Sequence, residues 1–261
     1  MKKITSPDNP MIKLARKLQN KKYRDRERLF LVEGRRSVQE ALARPEFLQT
    51  VFLEENLEED YSALRGVDTY LLESKLLKDI SSTETPQGMI AMLKMPEWSF
   101  EELFTEEGLI ILLDQISDPG NMGSIIRSCW ALGVNGLLLS SGCVDPFSPK
   151  VVRSSMGGIL NLPVFENITA QSLDLLQEQG YEFICTGLEE AEDYYSVDLN
   201  GAKIMVLGSE ARGVSEAIKR RCQRTIKIPM KSNVDSLNVA AACAIIVGEA
   251  WGQRNGRSVK Q

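Results

Sequence analysis

Five polar residues in the second half of the chain stand where no hydrophobic core needs them: Asn121, Arg127, Glu210, Ser236 and Asn238. They fall in three short blocks, DQISDPGNMGSIIRS (114–128), VLGSEARGVS (206–215) and IPMKSNVDSLNVAAACA (228–244). Each block sits at the end of an apolar run and carries Gly, Asn or Ser where a strand should turn into a helix. An arginine in such a place can grip a phosphate or stabilise a developing oxyanion, and amides and a carboxylate can hold it in register. Gly208 directly follows a buried run and Gly213 stands near the next helix start. Glycine there permits positive φ and lets a ligand approach bare peptide groups, which can hydrogen-bond an adenine edge. Taken singly, these residues have plainer readings. Asn121 and Ser236 could be helix N-caps, Arg127 a surface helix charge, and Glu210 a solvated carboxylate or a helix N-terminal charge. Five of them on strand-to-helix loops point to one site.

The chain has 261 residues and no histidine. That absence removes Ser-His-Asp and Cys-His catalysis, histidine-ligated metals and the commonest general base. The five cysteines, Cys129, Cys143, Cys185, Cys222 and Cys243, are scattered without a CxxC pair. They indicate neither a disulfide framework nor a zinc site, and a reducing cytoplasm suits them best. Cys129 and Cys243 fall on apolar helix faces as core thiols. The acidic run EEAEDYYSVD (189–198) reads as solvated loop carboxylates, and no metal is expected. No apolar stretch approaches the roughly 18 residues of a membrane span, and no export signal is expected. DPGNMG invites a dinucleotide reading, but GxxG is not GxGxxG. A nucleotide-dependent oxidoreductase therefore stays a minor alternative.

Charge is unevenly spread. The chain carries a net −5, yet residues 1–36 hold twelve Lys/Arg against four Asp/Glu. A second cluster, Lys219, Arg220, Arg221, Arg224 and Lys227, has no acid among residues 217–227. Localised positive charge on an acidic chain is the footprint of a polyanion partner, or simply a solvated helix face.

Placing the three blocks requires an α/β framework. Residues 9–27 read as a basic amphipathic helix. A strand at 29–32, a helix at 34–43, strands at 50–54, 68–73 and 87–95, and helices near 59–65 and 74–80 complete a small α/β domain, residues 1–95. Residues 96–108 read as a linker with one helical turn at most. The second domain, 109–261, opens on LIILLD (109–114), compatible with a strand buried on both faces. Helix 121–132, strand 136–140, a helix near 149–157, strand 162–165, helix 170–179, strands 181–186 and 203–208, helix 213–221, strand 225–230 and helix 237–253 follow. This is a parallel sheet of about six strands. Ligands on such sheets bind beyond the carboxyl ends of the strands, where all three blocks lie.

The order and spacing of the blocks resemble the three motifs of the SpoU (TrmH-like) family of RNA ribose 2′-O-methyltransferases, within the SPOUT superfamily. LFLVEGRRSVQEALA (29–43) is similar to the start of the ribosomal-protein-like RNA-binding domain that precedes many SpoU domains, and SPKVVRSSMGGILNLPV (148–164) resembles the segment after the first motif. The resemblance implies a deep trefoil knot in the C-terminal domain, contrary to the usual avoidance of knots, S-adenosylmethionine bound in it, and a homodimer through that domain. By position, Gly208, Ile228 and Leu237 should contact the cofactor, with Thr186, Gly187, Leu207, Gly213 and Met230 around it. Asn121, Arg127, Glu210, Ser236 and Asn238 match the polar positions credited with catalysis or site architecture. An arginine stays protonated in proteins. Arg127 is therefore expected to bind the phosphate beside the target ribose rather than act as a literal base. RNA contacts are expected from Arg16, Lys17, Arg35, Arg36 and Arg153, with Arg220, Arg221 and Arg224 as further candidates. Large-subunit ribosomal RNA is the expected substrate; transfer RNA, or a non-catalytic role in ribosome assembly, are the alternatives. Two positions depart from the third motif: Ser232 stands where glycine is common, and Ala240 where serine is.

Overall fold

The computed structural model describes residues 1–55, 57, 64, 66–209, 212–234 and 236–256. The chain forms two compact units. Met1–Glu97 with Asp145–Leu160 makes one, and Trp98–Val144 with Asn161–Gln261 makes the other.

The first unit is built on a five-stranded mixed sheet. Its strands are β1 (Lys2–Ile4), β2 (Leu29–Glu33), β3 (Leu48–Glu54), β4 (Thr69–Leu72) and β5 (Met89–Lys94), in the spatial order β1-β4-β3-β5-β2. β1 and β3 run parallel to β4, while β5 is antiparallel to both β3 and β2. Strand β1 was not expected from the sequence, because three residues with two lysines carry no alternation. The single helix expected over 9–27 is two, α1 (Pro10–Lys17) and α2 (Lys21–Glu27). Asn9 caps the first by accepting the Met11 N–H at 2.9 Å, and Asn20 starts the second by accepting the Lys22 N–H at 2.9 Å. An asparagine that offers its own backbone a cap competes with helix continuation, and here it wins. Helices α3 (Arg35–Leu42) and α4 (Ser74–Ile80) follow. Ile12, Ala15 and Leu18 pack with Phe52, Leu72, Leu77 and Ile80 in one core. The helix expected near 59–65 lies outside the described residues, apart from the buried Leu64.

Asp145–Leu160 comes from the middle of the second half of the chain but packs in the first unit. It holds α6 (Pro149–Ser155) and a short 3₁₀ turn, Gly158–Leu160. The Phe147 ring lies 5.1 Å from that of Phe30. Arg24, 4% exposed, pairs with Asp145 and donates from Nη1 to the Leu18 carbonyl at 2.8 Å. Lys21 approaches the same carboxylate at 3.7 Å.

The second unit is a seven-stranded sheet, one strand more than the sequence pattern suggested. Its strands are β6 (Leu109–Asp114), β7 (Gly136–Leu139), β8 (Val164–Phe165), β9 (Glu182–Thr186), β10 (Glu192–Asp193), β11 (Lys203–Gly208) and β12 (Arg224–Lys227). The order is β10-β12-β9-β11-β6-β7-β8, and every pairing is parallel. The additional strand, β10, arises from the acidic run read as loop; Arg224 holds Glu192 there at 2.9 Å. β12 stops at Lys227, two residues before Pro229, which has no N–H for a ladder. The helices are α5 (Pro119–Ala131), α7 (Ala170–Glu178), α8 (Glu216–Lys219) and α9 (Val239–Arg254). α8 is shorter than the 213–221 expected, since Gly213 takes a positive φ of 66°. The segment read as a linker is packed rather than loose. A Ser99–Glu102 capping box starts the turn Phe100–Leu103, Leu103 is fully buried, and the Tyr181 hydroxyl donates to its carbonyl. Among the described residues no helix is long and apolar enough to cross a membrane.

The Arg24–Asp145 pair sets a test of this packing. Arg24→Ala leaves a carboxylate that is 11% exposed without its main partner, and should cost about 3 kcal/mol in denaturant unfolding of the full chain. A loss under about 0.5 kcal/mol, the scale of a surface pair, would show that the pair does not anchor the segment.

Candidate functional site

Strand β6 is buried along its whole length and ends in a carboxylate. Asp114 is 2% exposed and lies in register with Gly208 of β11. One oxygen accepts the Ser140 hydroxyl at 2.8 Å, just past β7, and the other accepts the Ser215 N–H at 2.7 Å, just past the loop that follows β11. Ser140 Oγ in turn accepts the Gln115 N–H at 3.0 Å. One side chain thus joins the outgoing ends of three neighbouring strands. Sequence reasoning passed over Asp114. The signal was an acid closing an otherwise apolar run, a position where an unpaired charge would be too costly to keep.

The loop after β11 turns back at once. A Cβ at Gly208 would fall 2.0 Å from the Gly213 carbonyl carbon and 2.3 Å from the Val214 nitrogen. Ser209 and Gly213 form a bridge in which the Gly213 N–H donates to the Ser209 carbonyl at 2.8 Å. Glu210 lies outside the described residues. At the end of β9, the Thr186 hydroxyl donates to the Val206 carbonyl at 3.2 Å and the Gly187 N–H to the Ile226 carbonyl at 3.0 Å. These turns and the segment after β12 surround a cavity of about 210 Å³. Thr186, Gly187, Leu207, Gly208, Gly213, Ile228, Met230 and Leu237 all line it, as does Ser236. Leu188, Ile226, Val239 and Ala242, not singled out from the sequence, complete its apolar wall.

Ser236 therefore faces the cavity and is not the N-cap of the last helix. Asn238 holds that place: its Oδ1 accepts the Ala240 and Ala241 N–H groups at 2.9 and 3.3 Å. Its Nδ2 donates to Asn121 Oδ1 at 2.8 Å. Asn121 is likewise no cap. Asp118 caps α5 and accepts the Asn121 N–H at 2.8 Å. The two asparagines thus bridge the starts of α5 and α9. Further along, Cys129 and Cys243 face each other at 4.0 Å, and the neighbouring thiol together with burial pushes Cys129 well above the usual thiol range. These are core thiols. Arg127 stands exposed on α5, has no partner among the described residues and does not line the cavity. Of the two departures, Ala240 still donates its backbone N–H to the cap, and Ser232 is exposed in the Lys231–Val234 turn.

The five residues expected to meet RNA all belong to the first unit. Arg16 pairs with Asp79 of α4, and Lys17 sits 5.7 Å from the Tyr23 ring. Arg35 and Arg36 open α3, and Arg153 is exposed in the last turn of α6. The second basic cluster is largely spent inside the protein. Arg221 donates to Asp174 and Gln177 at 2.5 and 2.7 Å, and Arg224 to Glu182 and Glu192 at 3.1 and 2.9 Å. The run held no acid of its own, but folding brought acids to it. Among the described residues no group of His, Cys, Asp and Glu could hold a metal ion.

Residues 108–248 match the SpoU rRNA Methylase family, and residues 9–91 match the MRM3-like substrate binding domain. The chain is 31% identical to RlmP of Bacillus subtilis, a 23S rRNA (guanosine(2553)-2′-O)-methyltransferase, over 95% of this chain and 98% of RlmP. It is 30% identical to a 23S rRNA (uridine(2479)-2′-O)-methyltransferase of Streptomyces viridochromogenes, over 98% and 94% of the two chains. The crystal structure of an AdoMet-bound rRNA methyltransferase from Sinorhizobium meliloti superposes with a TM-score of 0.85 at 28% identity, covering 98% of this chain and 99% of that one.

Asp114→Asn tests the anchor. The amide keeps the shape but puts a donor where two donors already point, so stability should fall by about 1–3 kcal/mol. An unchanged thermal midpoint would show that the three loops are held by other contacts.

Proposed function

The chain belongs to the SpoU family of RNA methylases, and from that premise we propose that it methylates a ribose 2′-hydroxyl of large-subunit ribosomal RNA with S-adenosylmethionine as donor. The observation that carries this reading is the convergence on one cavity of the eight positions expected to contact the cofactor, spread over residues 186–237. The lining suits the donor. Leu207, Ile226, Ile228, Met230 and Val239 offer apolar faces to a purine, and the glycines at 187, 208 and 213 leave peptide groups bare for its polar edge. When bound, S-adenosylmethionine supplies a methyl group on a sulfonium, already a good leaving group.

The remaining work falls to the protein. Alignment of the reacting atoms supplies several kcal/mol when they are held at about 3–3.5 Å. In this proposal Ser236 and Leu237 fix the loop beside the donor, and the Asn121–Asn238 bridge keeps that loop in register with α5. Arg127, exposed and uncommitted among the described residues, grips the phosphate beside the target ribose and stabilises the ribose oxygen as the C–O bond forms, the S–C bond breaks and the hydroxyl proton passes to water. Glu210 is assigned to holding Arg127 and its own loop.

Three further parts belong to the same reading. The C-terminal path is knotted, as the resemblance implies. The protein is a homodimer through the C-terminal domain: α5 exposes Trp130 and α9 exposes Ile245 and Trp251, apolar groups that a second copy would cover. It works in the cytoplasm, where its five free thiols stay reduced. The two relatives act on a guanosine and a uridine. The base at the target is therefore selected outside the features common to these proteins.

Incubation with labelled donor and RNA from cells lacking this gene tests the reading. Label is expected at one ribose of 23S ribosomal RNA. Label in transfer RNA alone would move the substrate, and none in any RNA would remove the activity. Arg127→Lys is expected to lower the single-turnover rate by more than about tenfold, because an ammonium cannot form the bidentate fork. A smaller change would show that any cation suffices there.

A further inference from the structure

Glu33 ends β2 and is half-buried, and both of its carboxylate oxygens are spent on one loop. Oε1 accepts from the hydroxyls of Ser81 and of Thr83, the latter at 2.5 Å. Oε2 accepts from the Ser82 hydroxyl at 2.8 Å and the Ser82 N–H at 3.0 Å. Burial alone would raise its pKa, but these donors outweigh it and hold the carboxyl below its ordinary range. A second clasp lies at the far end of the loop. Gln87 Oε1 accepts the Arg35 N–H at 3.2 Å, and a Cβ at Gly34, whose φ is +97°, would lie 3.0 Å from that oxygen. The segment 81–88, between α4 and β5, is thus fastened at both ends to the junction of β2 and α3.

That junction carries Arg35 and Arg36 in the first turn of α3, a helix with no acid in that turn and no side-chain cap. Cations there oppose the helix dipole. A polyanion docking on the turn would offset that cost. Glu33 stands two residues before Arg35, yet its lone pairs are directed to Ser81, Ser82 and Thr83.

We propose that Glu33 is a positioning residue for the RNA substrate: it holds the Ser81–Gln87 loop against the Gly34–Arg36 turn, so that the two form one docking edge for an RNA backbone. The proposal rests on the reading of Arg35 and Arg36 as RNA contacts.

The test is single-turnover methylation by the full chain at saturating donor, followed against RNA concentration. Glu33→Gln loses the charge that four donors converge on. The RNA concentration at half-saturation should rise about tenfold, the scale of one charge-assisted hydrogen bond. The maximal rate and the donor affinity should stay within about twofold, a split that general destabilisation would not give. An unchanged RNA requirement overturns the proposal. If Glu33→Gln fails to fold, Ser82→Ala with Thr83→Val thins the same clasp from the loop side. That variant should show a smaller shift of the same kind, and no shift would overturn the role. Arg35→Glu with Arg36→Glu separates the two levels. If it too leaves the RNA requirement unchanged, RNA does not dock on this edge and the underlying reading fails. If it raises the requirement while Glu33→Gln does not, only the role of Glu33 is lost.

Discussion

A carboxylate that is 2% exposed, with no cation paired to it among the described residues, is costly unless its oxygens are met by donors. Asp114 meets that condition by drawing in the Ser140 hydroxyl and the Ser215 N–H. The geometry of the catalytic unit depends on this. In a parallel sheet each strand delivers its loop to the same edge, but nothing in the ladder says how those loops lie against one another. A charge buried at the end of β6 does say so, because it can be satisfied only when the loops from β7 and β11 come to it. The cavity wall at Gly208 and Gly213 is then placed from both sides, by the ladder partner of Asp114 and by the N–H two residues beyond Gly213.

The second tie works at helix starts. Asn238 satisfies two orphan N–H groups of α9 through its oxygen and still has its amide nitrogen to give to Asn121. An aspartate could cap the helix equally well but would have no donor for the bridge. The amide is therefore specified by both contacts together. Close packing of α5 on α9, with two thiols in contact, keeps the bridge short. What the bridge joins are the first and third motif blocks, so the helix that carries Arg127 and the loop that carries Ser236 share one reference point.

Charge shows how misleading a local count can be. Both basic clusters looked alike in sequence. Arg221 and Arg224 proved to be structural, each facing acids from other elements, and Arg24 is buried as the partner of Asp145. Arg36 and Arg153 are exposed in the same unit, and that unit matches a substrate-binding domain. The positive surface available to a polyanion is smaller than the excess of basic residues, and it is set by which arginines the fold has left uncommitted.

Much was legible without coordinates. Alternation of short strands and helices marked the α/β class. The second and third blocks, compared with a known family, marked most of the positions that line the cavity, because glycine at a strand end and small or polar residues at a helix start leave local signatures. Other features were set by partners distant in the chain. The capping roles moved from Asn121 and Ser236 to Asp118 and Asn238, since a cap is chosen by where the backbone first turns. The three-residue β1, the extra strand from an acidic run, the packed linker and the docking of Asp145–Leu160 on the first unit all depend on a surface supplied from elsewhere. Sequence alone determined the chemistry on offer: no histidine, an arginine in the first motif block, and glycines where backbone must be bare. Tertiary structure decided which of those groups meet, because a hydrogen bond or a buried charge is satisfied by whatever the fold brings within 3 Å, and local order in the chain carries no record of that.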